Sequence, residues 1–407
     1  MDERQSRRNI LAVAVAGGIG FSGFTLVIPF LPLYIAELGT TDVGEIAMWT
    51  GLTLGATPTV TAISAPLWGR VGDKYGSKVL VLRSLTAFIL TKAGMAFVTA
   101  PWQLFALRAL LGVFAGYGAL TISMAAQSVP RDQMAHAIGM VQTGHRLGPA
   151  IGPVIGGILA PLVGLRNAFL VAAAFYAAAM LLILVVYEEP VQRGESAKTR
   201  GGWEVFGQLM RLPGFVLALV VIFGLQTVDR SFGPVLPLFV QQVGVDVRRI
   251  AFVAGVLFSL GAISAAIGSQ WGPRLLKRYP ARVVLVAGML TAAVALTTIV
   301  AAPSLWVLGP AIVIAGTAMG AGTTTIYSIA GGLLPADAQA TGFGIMTTAS
   351  LMGLAVSPIV AGFIGASGLR IVFIADVVLL LVLGVLVWNR LRTKPLDPLE
   401  PLELVEP

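Results

Sequence analysis

Apolar runs of about 20 residues, each long enough to cross the roughly 30 Å hydrocarbon core of a bilayer as a helix, follow one another almost from end to end of this chain. Short polar segments rich in Gly, Pro and charge separate them. Read against those breaks, the pattern predicts twelve spanning helices, near residues 9–34, 44–67, 79–99, 101–127, 137–162, 166–187, 213–238, 248–270, 283–302, 304–328, 341–365 and 369–391. One polar stretch is far longer than the others. It runs from Glu188 to Arg211, carries Glu189, Arg193, Glu195, Lys198 and Arg200, and divides the spans six and six. The division implies a first six-helix bundle over 1–187, a cytoplasmic linker over 188–212, a second bundle over 213–395 and a cytoplasmic tail over 396–407.

Composition agrees with this pattern. Hydrophobic residues make up 57% of the 407 and charged ones only 11%, against roughly 25% charged in an average soluble protein. The net charge of +8 would suit a polyanionic partner if it were clustered, but it alternates with the apolar runs. With the N-terminus inside, Lys and Arg gather at the start, in alternate helix connections, in the linker and in the tail. Only Arg166, Arg248, Arg249 and Arg370 fall outside, and Lys92, Arg108, Arg146 and Arg230 fall within spans. The positive-inside rule then puts both termini in the cytoplasm and requires an even number of spans. No nucleic-acid partner is needed to explain the basic charge. No cleavage site of small residues follows the basic start, so the first run reads as a spanner and not as a leader.

Several chemistries are excluded. Without cysteine there is no disulfide, thiolate nucleophile or thiolate-ligated metal. Two histidines far apart make no metal site. Gly18-Ile19-Gly20-Phe21-Ser22-Gly23 fits the spacing of a dinucleotide fingerprint but lies inside a spanner with no preceding strand. No phosphate-binding loop of the ATPase kind is present, and no cluster of acids and bases within the spans suggests an enzyme. No cofactor is expected.

The two halves repeat each other. Pro29-Phe30-Leu31-Pro32 recurs as Pro234-Val235-Leu236-Pro237, Trp68-Gly69 as Trp271-Gly272, Pro153 and Gly157 as Pro358 and Gly362, and Gly164-Leu165-Arg166 as Gly368-Leu369-Arg370. So many matches at nearly one offset imply a duplicated six-helix unit, the arrangement of transporters that bind substrate between two related bundles.

The segment after the second span, Gly69-Arg70-Val71-Gly72-Asp73-Lys74-Tyr75-Gly76-Ser77-Lys78, resembles the signature loop of the major facilitator superfamily, with Ser77 where a base is usual. The resemblance implies a tight cytoplasmic turn with Asp73 at the start of a helix, where the dipole favours an acid, and a gating role for Gly69, Arg70, Asp73, Lys74 and Gly76. In the fifth span, Gly148, Gly152, Pro153, Gly156 and Gly157 resemble the antiporter motif of drug exporters within that superfamily, in which small residues allow close packing between the halves. Leu104, Arg108 and Gly112 resemble its intramembrane arginine motif, with Leu111 where Gln is common. The resemblance spans essentially the whole chain and is closest to the twelve-span drug:proton antiporters. It implies an all-α membrane protein of two six-helix bundles that exports amphipathic small molecules across the cytoplasmic membrane against an inward flow of protons, acting as a monomer. The alternative is an importer or facilitator of a metabolite or sugar.

An ionisable group in hydrocarbon is costly unless it meets water or a partner, so intramembrane charges are functional candidates. Asp229 on span 7, with Arg108, Arg230, His145 and Arg146, forms the candidate set for proton coupling and the cavity. His145 and Arg146 are adjacent, about 100° apart on a helix, so at most one points squarely inward. Lys92 and Asp376 lie on spans expected outside the cavity and read as locally paired or snorkelling. Phe21, Phe24, Trp49, Tyr117 and Tyr327 are candidate liners for amphipathic compounds, or simply packing.

Overall fold

The computed structural model describes residues 3–130, 133–189, 202–302, 304–335 and 338–391, and within them the side chains other than those of 3, 65–67, 69–75, 135, 202–205, 213 and 340. Among the described residues every regular element is helical. The helices are α1 (Glu3–Thr25), α2 (Leu31–Glu37), α3 (Val43–Tyr75), α4 (Ser77–Met95), α5 (Pro101–Val113), α6 (Tyr117–Gln127), α7 (Met134–Val163) and α8 (Leu165–Val186), then α9 (Gly202–Met210), α10 (Pro213–Gln242), α11 (Val247–Leu276), α12 (Ala281–Val300), α13 (Leu305–Gly332), α14 (Gln339–Ser367) and α15 (Leu369–Arg390). Each of the twelve predicted spans is helical in the structure. Among the described residues ten helical segments are long and apolar enough to cross a membrane; α4, which is not one of them, carries three cations, Lys78, Arg83 and Lys92. Within the predicted linker, α9 forms a short helix.

Two spans are broken, and each break has a local cause. In the first, α1 gives way at Leu26 to a 3-10 turn over Ile28–Phe30 before α2 resumes, because Pro29 and Pro32 cannot donate to the helical ladder. Thr25 bridges the break by donating to its own helix at Phe21 O (3.0 Å) and approaching Gly148 O of α7 (3.1 Å). The matching Pro234 and Pro237 sit inside a continuous α10, so the duplicated proline pair bends only one copy. In the fourth span α5 ends at Val113, and Gly116 at φ +116° turns the chain into α6. The carbonyls freed there are satisfied from neighbouring helices: Trp68 Nε1 donates to Val113 O (2.6 Å) and Arg83 Nη2 to Phe114 O (3.0 Å). The Arg83 guanidinium also lies 3.4 Å over the Trp68 ring, which stiffens the pair.

The chain packs as two compact units. The first comprises residues 1–195, 232–262 and 358–369, and the second 196–231, 263–357 and 370–407. In the first, Phe30, Tyr34 and Phe169 form an aromatic knot at ring separations of 5.5 and 4.9 Å, and the Tyr34 hydroxyl donates to Met95 O (2.7 Å). At the end predicted to be cytoplasmic, Asn9 of α1 exchanges two hydrogen bonds with Glu188, and Lys78 of α4 donates through Nζ to Tyr187 O (2.6 Å) and through its backbone N–H to Glu189 Oε1 (3.2 Å). The residues just after α8 therefore tie together α1 and the start of α4. In the second unit, Gly268 of α11 packs on the Thr317 carbonyl of α13 and Gly320 of α13 on the Ala265 carbonyl of α11. The Arg282 guanidinium lies 4.2 Å over the Trp388 ring.

Replacing Gly116 with Ala should lower the melting temperature, since an L-residue held at that φ is strained by about 1–3 kcal/mol. Gly139, in helical backbone with no atom near its missing β-carbon, is the control. The measurement is thermal unfolding of both variants in detergent, and equal melting temperatures would refute the assignment of strain to Gly116.

Candidate functional site

The five antiporter-motif residues do not share one face. In an α-helix, residues four apart stack along one stripe, and on α7 that stripe is Gly144, Gly148, Gly152 and Gly156. All four face α1: a β-carbon on Gly144 would run into Ala14 O, on Gly148 into Phe21, on Gly152 into Thr25 and Ser22, and on Gly156 into Leu26 O. Thus three motif glycines hold spans 1 and 5 of the first unit together. Gly157 and Pro153 are turned to α11. A β-carbon on Gly157 would sit 2.9 Å from Phe252 Cα, and one on Gly255 of α11 would strike Pro153 O. The duplication supplies a second contact of the same kind. Gly51 of α3 packs on Pro358 O of α14, with a would-be β-carbon 2.8 Å from Gly362 Cα. An offset of 204 or 205 relates Gly51 to Gly255, Pro153 to Pro358 and Gly157 to Gly362. Both contacts lie within the first unit, at the helix ends that the charge pattern predicts to be extracytoplasmic.

The same register organises the candidate liners. Of the adjacent pair on α7, His145 is the inward residue and Arg146 is exposed. The His145 ring stacks on Phe21 (4.5 Å), and its Nε2 lies 3.0 Å from the Thr121 hydroxyl of α6. Tyr117 is buried behind them, 6.3 Å from Phe21. Phe24 lies one turn along, with the Arg108 guanidinium 5.7 Å from its ring, and Arg108 itself is fully buried. Trp49 stands apart, near the start of α3, donating through Nε1 to Glu45 (3.3 Å).

In the second unit the positions matching Phe21 and His145 are Gln226 and Ser350. They also touch, now through a hydrogen bond from Gln226 Nε2 to Ser350 Oγ at 2.8 Å, and the Tyr327 hydroxyl bonds to the same serine. Gly353 packs against Gln226 and Phe223 O as Gly148 packs against Phe21, and the Ser357 hydroxyl donates to Thr227 O. The positions matching the α7 stripe are Ala349, Gly353, Ser357 and Ala361, small throughout, and of these Gly353 and Ser357 face α10. Sequence reading singled out Tyr327 but missed Gln226 and Ser350; only the offset from Phe21 and His145 could have found them.

Asp229 and Arg230 form an ion pair at 3.1 Å with both side chains about 40% exposed. Two expectations need correction. Asp73 is not at a helix start: α3 runs to Tyr75, and the turn narrows to Gly76 at φ +82°, so Asp73 lies in the last turn of α3. The side chains of Gly69, Arg70, Asp73 and Lys74 lie outside the described residues, while Gly76 sits where a β-carbon would strike the Glu189 carboxylate. Nor does Lys92 pair locally or snorkel, whereas Asp376 is locally paired, as expected. Lys92 is fully buried with no hydrogen-bond partner, and Asp376 is buried and accepts a 2.5 Å hydrogen bond from Ser231 of α10. Among the described residues no group of His, Asp and Glu could hold a metal ion.

The profile of the Major Facilitator Superfamily matches residues 13–282 and 253–405. The chain belongs to this superfamily. Its similarity to individual members runs the full length. It is 30% identical over 401 residues to the multidrug resistance protein MdtG of Citrobacter koseri, covering 95% of this chain and 96% of that one. It is 29% identical over 361 residues to the multi-drug resistance efflux pump PmrA homolog of Lactococcus lactis, covering 88% of each. Among solved structures it superposes on a bacterial homologue of the human lysosomal transporter Spinster, inward-facing and occupied, with a TM-score of 0.80 at 18% identity, covering 97% of this chain and 98% of that one. It superposes on the nucleoside transporter NupG with a TM-score of 0.76 at 16% identity, covering 95% and 99%. Those structures establish the major facilitator fold. The duplicated glycine contacts are thus features of a superfamily transporter, not of a membrane-embedded enzyme.

Replacing Gly51 or Gly255 with Leu should force apart the contacts with Pro358 and Pro153 while leaving the α1–α7 stripe intact. Because the chain has no cysteine, a Leu54→Cys background reports directly, since Leu54 packs against Gly233 at the same end. Labelling by a membrane-impermeant maleimide should rise in either glycine variant relative to the parent. Gly152→Leu or Gly156→Leu should instead separate spans 1 and 5 and abolish exchange, measured as counterflow in proteoliposomes.

Proposed function

We propose that this protein is a multi-pass transporter of the cytoplasmic membrane, with twelve spans and both termini inside, which expels amphipathic small molecules in exchange for protons. The observation that carries this reading is the end-to-end likeness to multidrug resistance proteins, which are similar to this chain over nearly all of its length and theirs. Two features of the structure support it. The paired glycine contacts provide backbone-close seams that can part and re-form, as alternation between two access states requires. Each unit offers rings and polar groups, Phe21, Phe24, Tyr117 and His145 in the first and Gln226 and Tyr327 in the second, suited to amphipathic cargo. Division at 1–187 and 213–395 about a cytoplasmic linker is the sequence framework for that motion, and a single chain suffices for it.

The first span has no acid between Asn9 and Glu37, so the proton must be carried elsewhere. Asp229 is our first candidate. It lies on span 7 with its side chain about 40% exposed and ion-paired to Arg230 beside it at 3.1 Å, an ionisable pair within a span. Asp376 is the second. The Ser231 hydroxyl lies 2.9 Å from Val228 O and 2.5 Å from Asp376. A buried ionisable residue within a span is a functional candidate by default.

The test of function is substrate-induced proton release from energised inverted vesicles, over a panel of cationic, neutral and anionic drugs. Absence of proton movement with every exported compound would overturn the coupling. Asp229→Asn should abolish uphill, pH-driven export and spare downhill exchange. Uphill export that persists in this variant but is lost in Asp376→Asn would move the coupling site to Asp376. Asp73→Asn should leave the protein inserted but slow its cycling, seen as a reduced exchange rate at unchanged substrate affinity.

A further inference from the structure

Among its described side chains the first unit buries two cations and no acid. Lys92 of α4 and Arg108 of α5 are both fully buried, and neither the Lys92 Nζ nor the Arg108 Nε and Nη2 has a hydrogen-bond partner. Two hydroxyls complete the cluster. Tyr176 of α8 and Tyr117 of α6, 1% and 5% exposed, also have unpartnered OH groups.

These groups are neighbours. Arg108 lies close enough to act electrostatically on both Lys92 and Tyr176, and Tyr176 on Tyr117. Phe88, one turn before Lys92 on α4, contacts the rings of both Tyr176 (5.1 Å) and Tyr117 (6.4 Å), while the Lys92 Nζ lies 5.9 Å from the Phe169 ring. Between Phe169 and Tyr176 the buried face of α8 carries only Ala172 and Ala173, so no bulky side chain of that helix intrudes. Every acid of the first unit whose side chain is described, namely Glu37, Asp42, Glu45, Glu188, Glu189 and Asp246, is exposed.

Two cations withdrawn from water without a counter-charge are costly, by several kcal/mol each even after relaxation, and ring faces return only a fraction of that. The donors are two cationic groups and two hydroxyls, with no acceptor that carries charge. We propose that Lys92, Arg108, Tyr117 and Tyr176 form a binding site for one small monovalent anion of chloride size, buried inside the first unit. One such ion neutralises half the buried charge and offers the unpartnered donors a charged acceptor. The site is a structural counter-ion site, so its occupancy stabilises the fold whatever the cargo.

The experiment is thermal unfolding of the purified full-length protein by tryptophan fluorescence, titrating chloride against gluconate at constant ionic strength and pH. A ligand that binds only the folded state raises the melting temperature with its concentration. The wild type should show a saturable rise with chloride and with bromide. Lys92→Met should weaken the apparent chloride affinity at least about tenfold, and Lys92→Arg should keep it. Equal melting curves in chloride and gluconate, or an undiminished chloride effect in Lys92→Met, overturn the proposal. Where Lys92→Met cannot be purified, equilibrium dialysis of the wild type against radioactive chloride decides: saturation at one ion per chain supports the site, and no saturable binding refutes it.

Discussion

How closely two helix backbones can approach governs this structure more than any single polar contact. In hydrocarbon there is no hydrophobic drive between helices, so association rests on packing depth, and depth is limited by the β-carbon. On α7 that limit is removed along two faces. Gly144, Gly148, Gly152 and Gly156 seat the helix on α1, while Gly157 and Pro153 seat it on α11. The first seam continues over three turns, with Thr25 bridging it by hydrogen bond. The second is a local touch near one end. A helix so placed can keep the long seam while the short one parts. The helix tolerates Pro149, Pro153 and Pro161 in its interior without a break, consistent with neighbouring groups taking up the hydrogen bonds its ladder loses.

The duplication has kept shape and let chemistry diverge. Ala349, Gly353, Ser357 and Ala361 repeat the narrow stripe of α7 on α14, and the two glycine–proline contacts at Gly51 and Gly255 match in register. At the inward positions the two copies differ. A ring stack of Phe21 on His145 in one corresponds to an amide–hydroxyl bond between Gln226 and Ser350 in the other. Charge differs as well. In the first unit the fully buried charges are cations, Lys92 and Arg108, whereas the second buries a carboxylate, Asp376, against Ser231.

The breaks in spans 1 and 4 follow the same logic of satisfied backbone. A broken helix exposes carbonyls that water cannot reach in a bilayer, so each break must be covered by a donor from another helix. Trp68 and Arg83 cover the end of α5 from α3 and α4, while at the end of α1 Thr25 turns its hydroxyl to Phe21 O of its own helix and to Gly148 O of α7. Arg83 therefore serves the fold, although by position it counts among the cations that orient the chain in the membrane.

The helical segments, the repeated glycine and proline positions and the superfamily are all legible in the amino-acid sequence. They depend on the period and length of apolar runs and on matches at one offset, which are properties of the chain alone. The face that each small or charged residue presents is not legible in the same way. A Gly-rich helix signals close packing but not against which partner, and three of the motif glycines serve α1. The signature loop places Asp73 at a helix start, yet helical backbone continues past it to Tyr75, because a glycine at position 76 is enough to make the turn. Lys92 and Asp376 look peripheral on a span-by-span ordering, but both are buried. Whether a charge on a long side chain reaches water, a partner or neither depends on what the neighbouring helices place beside it, and only the packed structure supplies those neighbours.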